Sequence, residues 1–118
     1  MFIKTFKEIL AWQKAHKLVL EVYRLAEGYP KHETFGLISQ SRRCAVSVPS
    51  NIAEGFKRKS QKDSDHFYNI AEGSLEELKY QLLLARDLSH ISDKNYGEII
   101  NLGEEVGKLL NGWRKSQR

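Results

Sequence analysis

The chain has 118 residues, of which 41% are hydrophobic and 29% are charged, and its formal net charge is +4. This composition is typical of a soluble globular protein and excludes a disordered chain, and the length suits one core, so we expect residues 1–118 to form a single domain. No apolar run approaches the roughly 20 residues needed to span a bilayer, and the amino terminus lacks the apolar core of a signal peptide. We therefore expect a cytoplasmic protein without membrane association.

The first predicted element is an amphipathic helix over residues 7–27. From Leu10 to Ala26 apolar residues recur at steps of three or four, which places their side chains on one helical face. Gly28 fits the left-handed position that ends many helices, and Pro30 cannot continue one. The helix is therefore expected to end at residue 27.

The second predicted helix covers residues 34–58, with Thr34 as a candidate cap. Its stretch LISQSRRCAVSVPSNIAEGF keeps one apolar stripe in phase across Pro49. Proline has no N–H and its ring presses on the preceding turn, a defect of about 3 kcal/mol, so we predict one helix that bends at Pro49. The alternative is two short helices separated by Pro49, with Ser50 capping the second.

Small residues on this stripe, among them Ser41, Ala45 and Gly55, would let a neighbouring helix approach closely. The single cysteine, Cys44, lies on the same stripe. A buried structural thiol is far commoner there than a nucleophile. The stripe is thus predicted to serve close packing.

Asn51 and Glu54 lie beside the proline and have two interpretations. In one they contact a ligand. In the other, which we favour, Asn51 satisfies backbone groups that Pro49 leaves free, and Glu54 pairs with Arg42, Arg43 or a basic residue of another helix.

Two further amphipathic helices are predicted over residues 62–90 and 93–115. Ser60 or Ser64 caps the first of them, and Ser92 opens the second. No segment alternates apolar and polar residues as a half-buried strand does. Four amphipathic helices joined by short links predict an all-α, antiparallel up-down-up-down four-helix bundle.

The titratable residues show no pattern that favours catalysis or a bound metal. The four histidines, His16, His32, His66 and His90, are widely separated and include no i, i+4 pair, and no glycine pattern forms a phosphate-binding loop. The carboxylates between residues 63 and 77 lie on a predicted helical face that is normally solvated. We therefore expect no metal site, no cofactor and no enzymatic activity.

Three segments resemble the four-helix-bundle family encoded in intervening sequences of bacterial 23S ribosomal RNA genes, to which the accessory variability protein of diversity-generating retroelements is similar. They are AWQKAHKLVLEVY at 11–23, YPKHETFGLISQSRRCAVSVPSNIAEGF at 29–56 and FYNIAEGSLEELKYQLLLARDL at 67–88. The segment SVPSNIAEG is the most specific of these. The fourth helix matches only in its general pattern, and Ser89 and His90 stand where the family often has glycine and an aromatic residue.

The resemblance implies a helical bundle that assembles as a homopentamer, has no established catalytic activity and is usually proposed to bind nucleic acid. The retroelement relative implies an alternative role, as an adaptor for a reverse transcriptase or another protein partner. The residues themselves favour assembly, because one small core cannot readily hide all the larger aromatic side chains. Those side chains are Phe35, Phe56, Tyr68, Tyr80 and Trp113.

Charge indicates where RNA or DNA would be contacted. Residues 31–60 carry six Lys or Arg and two Asp or Glu, whereas residues 61–90 carry three and six. The candidate nucleic-acid-binding residues are Arg42, Arg43, Lys57, Arg58, Lys59 and Lys62. The arginine pair lies about 21 Å along the helix from the other cluster, so the set could follow several phosphates. Alternatively, these residues keep the link soluble and pair with the acidic helix that follows.

Overall fold

The computed structural model describes residues 2–117, and four α-helices account for most of them. They are α1 (Leu10–Ala26), α2 (Ser39–Lys57), α3 (Gln61–Asp87) and α4 (Asp93–Ser116). Short 3-10 turns lie at Phe6–Glu8 and Lys31–Glu33, and a π-helical turn at Thr34–Ile38 leads into α2. Residues 2–117 contain no strand, so the all-α four-helix class is confirmed.

Each helix packs against two of the others, α1 and α3 both lying beside α2 and α4. Contacts between α2 and α3 join Cys44 to Gln81 and Ser47 to Ser74, so residue numbers rise along one helix as they fall along the other. The bundle measures 44 × 25 × 19 Å. The end of α2 and the start of α3 therefore lie at the same end of the bundle.

The core is the continuous set of side chains that the four helical stripes turn inward. Ile52 of α2, Leu78 of α3 and Leu110 of α4 have no exposed surface, and Leu18 of α1 meets them from the fourth side. Alanines on three of the helices are equally buried, which lets the helix backbones come close. These are Ala15, Ala45, Ala71 and Ala85.

Helix α2 is continuous through Pro49, so the alternative of two separate helices is wrong. The bend at Pro49 stays a prediction. Asn51 Nδ2 donates to the Ser47 carbonyl at 2.8 Å and to Ser47 Oγ at 3.0 Å. Asn51 thus satisfies helix backbone beside the proline, although the carbonyl that loses its usual donor to Pro49 is that of Ala45.

Two predicted helix ends differ from the structure. Gly28 does not adopt a positive φ; α1 instead tightens after Ala26, where the Gly28 N–H donates to the Leu25 carbonyl at 3.0 Å. Thr34 does not cap the second helix, because its hydroxyl donates to the Lys31 carbonyl at 2.6 Å. Helix α2 begins at Ser39 without a side-chain cap, five residues later than predicted, and Glu33 instead caps the π-helical turn before it, its Oε1 accepting the Leu37 N–H at 3.2 Å.

The other predicted starts agree more closely. Ser60 Oγ accepts the Asp63 N–H at 3.1 Å at the start of α3, and Ser92 Oγ accepts the Asn95 N–H at 3.0 Å at the start of α4. Helix α1 begins three residues later than predicted, at Leu10, because a separate turn capped by Thr5 precedes it.

The aromatic side chains divide between core and surface. Tyr68 is buried and Phe56 and Trp113 are half-buried, so the core hides these three at least in part. Phe35 and Tyr80 are exposed, at 94% and 61%.

Ser89 ends α3 in the left-handed region, with φ 63°. Its N–H donates to the Arg86 carbonyl at 2.9 Å, and the next N–H, that of His90, donates to the Ala85 carbonyl at 2.8 Å. This pair of bonds is the Schellman arrangement, in which glycine is the usual left-handed residue. Serine therefore fills the position at a conformational cost.

Ser89→Gly should stabilise the protein, because glycine adopts this φ without strain. We expect the free energy of unfolding to rise by about 0.5–1 kcal/mol, measured by chemical denaturation. Ser64→Gly, inside α3, is the control and should lower it, since glycine weakens a helix interior. A loss of stability in Ser89→Gly equal to that of the control would contradict this account of the turn.

At Gly55 the backbone of α2 packs directly against the Tyr68 ring of α3. A Cβ added there would lie 2.8 Å from Cδ1 and 2.9 Å from Cζ of the Tyr68 ring, which is itself only 2% exposed. Such distances are too short for any side chain to fit without displacing the ring. Glycine at this position therefore allows the buried tyrosine to pack against the helix backbone.

Gly55→Ala is expected to lower the free energy of unfolding by about 2 kcal/mol, because overpacking must move Tyr68. Gly73→Ala is the matched control, since a Cβ there meets nothing within 4 Å. That control should gain up to about 1 kcal/mol from the better helix propensity of alanine. Equal effects of the two substitutions on denaturation midpoints would show that the contact with Tyr68 does not limit position 55.

Candidate nucleic-acid interface

The six predicted basic residues occupy two places on the bundle. Arg42 and Arg43 lie in the first half of α2. The others follow the chain across the α2–α3 link: Lys57 ends α2, Arg58 is its C-cap, and Lys62 lies in the first turn of α3. All except Arg42 are exposed.

Arg42 faces helix α1. Its guanidinium carbon lies 4.8 Å from the centre of the Tyr23 ring, and the side chain is half-buried. A cation over an aromatic face is attracted by the ring's negative π surface. The structure therefore separates Arg42 from its neighbour Arg43, whose side chain is exposed.

Arg58 connects the end of α2 with the start of α3. Its Nη2 lies 2.8 Å from Glu54 Oε2, and its guanidinium lies over the Phe67 ring at 5.1 Å. Glu54 therefore pairs with the end of its own helix, and not with Arg42, Arg43 or a residue of another helix as predicted. The Arg58 side chain remains 41% exposed.

Lys57 and Arg58 line a groove of about 650 Å³ between α2 and the amino-terminal segment. The groove is also lined by Lys4 of the amino-terminal segment, by Glu54 of α2 and by the rings of Phe6 and Phe56. Phe6 is held edge-to-face against Trp12, with centroids 4.9 Å apart. The groove therefore combines positive charge with half-buried aromatic rings.

Lys4 and Phe6 were missed by the sequence prediction. They lie about fifty positions from Lys57, and no local pattern marks them. The only available signal was topological, because a bundle with alternating helix directions brings the start of α1 beside the end of α2.

Several acidic side chains of α3 pair with basic residues of α3 and α4. Arg114 Nη1 lies 2.9 Å from Glu72 Oε2, and its Nε lies 3.2 Å from Asp65 Oδ1. Burial alone would lower the pKa of Arg114, but hydrogen bonds to these carboxylates raise it above its ordinary value. Lys79 likewise lies 2.9 Å from Glu76 and 3.1 Å from Glu104. These ion pairs neutralise part of the negative charge of residues 61–90, and they do so without the basic residues of α2.

The family model for 23S rRNA-intervening sequence protein matches residues 7–112 of this chain. The chain belongs to this family. The match begins at the first turn and ends within α4, so it includes α1, α2, α3, most of α4 and the basic link between α2 and α3.

A solved structure has the same fold. It is the crystal structure of a protein of unknown function from the S23 ribosomal protein family of Bacteroides thetaiotaomicron, with 25% sequence identity and a TM-score of 0.82. The alignment covers 90% of this chain and 96% of that one. Comparison with curated proteins finds no match. Within residues 2–117, no helix has the length and apolar character required to cross a membrane.

Cys44 has the environment of a structural thiol. It is half-buried, and Gln81 Nε2 donates to its Sγ at 3.4 Å. Burial raises the pKa of the Cys44 thiol, which disfavours the reactive thiolate.

The fold also brings together two histidines that are 58 positions apart in the sequence. His90 Nε2 lies 3.0 Å from Glu33 Oε2, and the His32 ring lies 6.1 Å from the His90 ring. The hydrogen bond with His90, together with that from the Leu37 N–H, lowers the pKa of Glu33 below its ordinary value. Sequence spacing was therefore a poor guide here, because the cluster is formed by tertiary contact between the segments that precede α2 and follow α3.

Proposed function

We propose that this member of the 23S rRNA-intervening sequence family is a non-catalytic, cytoplasmic, homo-oligomeric protein that binds RNA. The observation that carries the proposal is the exposed cationic surface at the α2–α3 link, beside a groove to which Lys4 adds a further cation. We name this surface the basic end and define it as residues 4–8 and 56–62. Phosphate groups are the ligand that such a surface binds most favourably.

The geometry favours contact with the RNA backbone more than with its bases. Lys57, Lys59 and Lys62 are exposed on or beside a three-residue link, so their ammonium groups can reach successive phosphates. Phe6 and Phe56 are only half-exposed within the groove, and they offer limited area for base stacking. Binding is therefore expected to depend strongly on salt and little on sequence.

Changing Lys57, Arg58, Lys59 and Lys62 together to Gln should weaken binding to all single-stranded RNA sequences. Each phosphate contact removed should reduce the slope of log affinity against log salt by about 0.7. Fluorescence anisotropy at several salt concentrations measures both quantities.

The matched control changes four exposed lysines elsewhere to Gln, so that the net charge falls equally. These are Lys17, Lys31, Lys94 and Lys108. Both variants should fold, because exposed charges contribute little stability. The assignment of the basic end fails if the control and the first variant lose the same affinity and salt slope.

Assembly is the second part of the proposal, and the resemblance to the family is the source of the number five. Phe35 and Tyr80 expose large aromatic surfaces, and the aliphatic side chain of Leu20 is 57% exposed. Burial of such surfaces between copies is favourable. A ring of copies would also repeat the basic end around one axis and increase its affinity for a long RNA.

Light scattering at micromolar concentration should give a mass close to five times that of the 13.7 kDa chain. Tyr80→Ser should shift the population towards smaller species, because it removes exposed aromatic area without disturbing the core. A monomeric mass for the wild-type protein would contradict assembly.

An adaptor for a reverse transcriptase or another protein is the second candidate function. The exposed Phe35 ring supports it, since isolated aromatic side chains are common anchors of protein interfaces. A gene located between a variable repeat and a reverse transcriptase gene would favour this role. A gene inside a ribosomal RNA operon would favour RNA binding alone.

A further inference from the structure

Three side chains with metal-ligating atoms converge at the opposite end of the bundle from the basic end. His32 and Glu33 come from the 3-10 turn before α2, and His90 comes from the turn after α3. One ligand atom from each residue can be chosen so that all three lie within 4.8 Å of one another. The three residues thus offer two imidazole nitrogens and one carboxylate oxygen to a single point.

Two of the three ligands are held in place by other contacts. Glu33 Oε1 accepts the Leu37 N–H at 3.2 Å, which orients the carboxylate and leaves Oε2 directed at His90. The backbone N–H of His90 donates to the Ala85 carbonyl at 2.8 Å, which fixes the backbone there, and the His90 ring packs 5.5 Å from the Tyr29 ring. The side chains of His90 and Glu33 are only 9% and 17% exposed. Such outer contacts are what orients ligands in known metal sites.

We propose that His32, Glu33 and His90 bind one divalent transition-metal ion, with Zn²⁺ the best fit. Zn²⁺ takes histidine nitrogen and carboxylate oxygen at about 2.0–2.2 Å, which in a tetrahedral site places the donors about 3.3 Å apart. The His90 Nε2 and Glu33 Oε2 atoms are already 3.0 Å apart. His32 is exposed, so its ring can rotate towards the other two without disturbing the core. The fourth position remains open to water or to an external ligand.

The metal would connect parts of the chain that are distant in sequence. It would replace the hydrogen bond between His90 and Glu33, which are 57 positions apart, with bonds from both residues to one ion. Because the unfolded chain does not hold these groups together, the ion would bind mainly the folded protein and stabilise it. The expected role is a clamp between the start of α2 and the end of α3.

The competing interpretation is a simple ion pair between His90 and Glu33. Under that interpretation His32 is not a ligand, and His32→Ala should leave the affinity for Zn²⁺ unchanged. Under the proposal His32 is a ligand. This exposed residue therefore separates the two interpretations without a risk to folding.

The test is a titration of the full chain, freed of metal by a chelator and then dialysed, with ZnCl₂ in a calorimeter. We expect saturable binding of one Zn²⁺ per chain and a rise in melting temperature. His32→Ala and His90→Gln should each weaken Zn²⁺ affinity by more than about 10-fold, since even loss of an outer-shell partner often costs that much. With Co²⁺ as the probe, the wild-type protein should show visible absorption typical of a four-coordinate site, and His32→Ala should lose it.

His66→Ala is the control, because His66 is exposed and lies beside Phe67, near the α2–α3 link. It should bind Zn²⁺ as the wild-type protein does. The proposal is overturned if the wild-type protein shows no saturable binding, if His32→Ala keeps the wild-type affinity, or if one ion binds per two chains.

Discussion

The close approach of Gly55 to the Tyr68 ring is the constraint on which the rest of the structure depends. It lets α2 and α3 pack with a buried tyrosine between their backbones, so that the two helices can be joined by only three residues. Arg58 completes the junction by pairing with Glu54 and covering Phe67. The basic residues from Lys57 to Lys62 therefore lie at one end of the α2–α3 pair.

Most of the helical framework was predictable from the sequence, because each helix buries one periodic stripe of apolar residues. Ser92 opened α4 as predicted, since a serine side chain at that position has only local donors to satisfy. Thr34 was misjudged for a different reason. Several nearby groups competed for the same backbone atoms, and the Glu33 carboxylate, not the Thr34 hydroxyl, reached the Leu37 N–H. The residue types alone do not determine which side chain accepts a given backbone N–H.

The candidate site was predictable only where its residues are neighbours in sequence. The run from Lys57 to Lys62 is visible in the printed sequence, whereas Lys4 and Phe6 join it through the packing of the amino-terminal turn against α2. Arg42, in contrast, was predicted to belong to the site because it is next to Arg43 in the sequence. In the fold its guanidinium lies over the Tyr23 ring. The cluster of His32, Glu33 and His90, like the pairing of Lys4 and Phe6 with α2, could not be predicted from sequence spacing. It forms because two connecting segments meet at the far end of the bundle.

If RNA binds at the junction of α2 and α3, as we propose, ultraviolet cross-linking will locate it there. Wild-type protein is cross-linked to single-stranded RNA at low salt, digested, and analysed by mass spectrometry to find the peptides that carry nucleotides. The account predicts cross-linked peptides from residues 4–8 and 56–62, where aromatic rings lie beside the cations. Cross-links that fall instead on the α3–α4 face around Glu76 and Glu104, or at the end that contains His32 and His90, would contradict it.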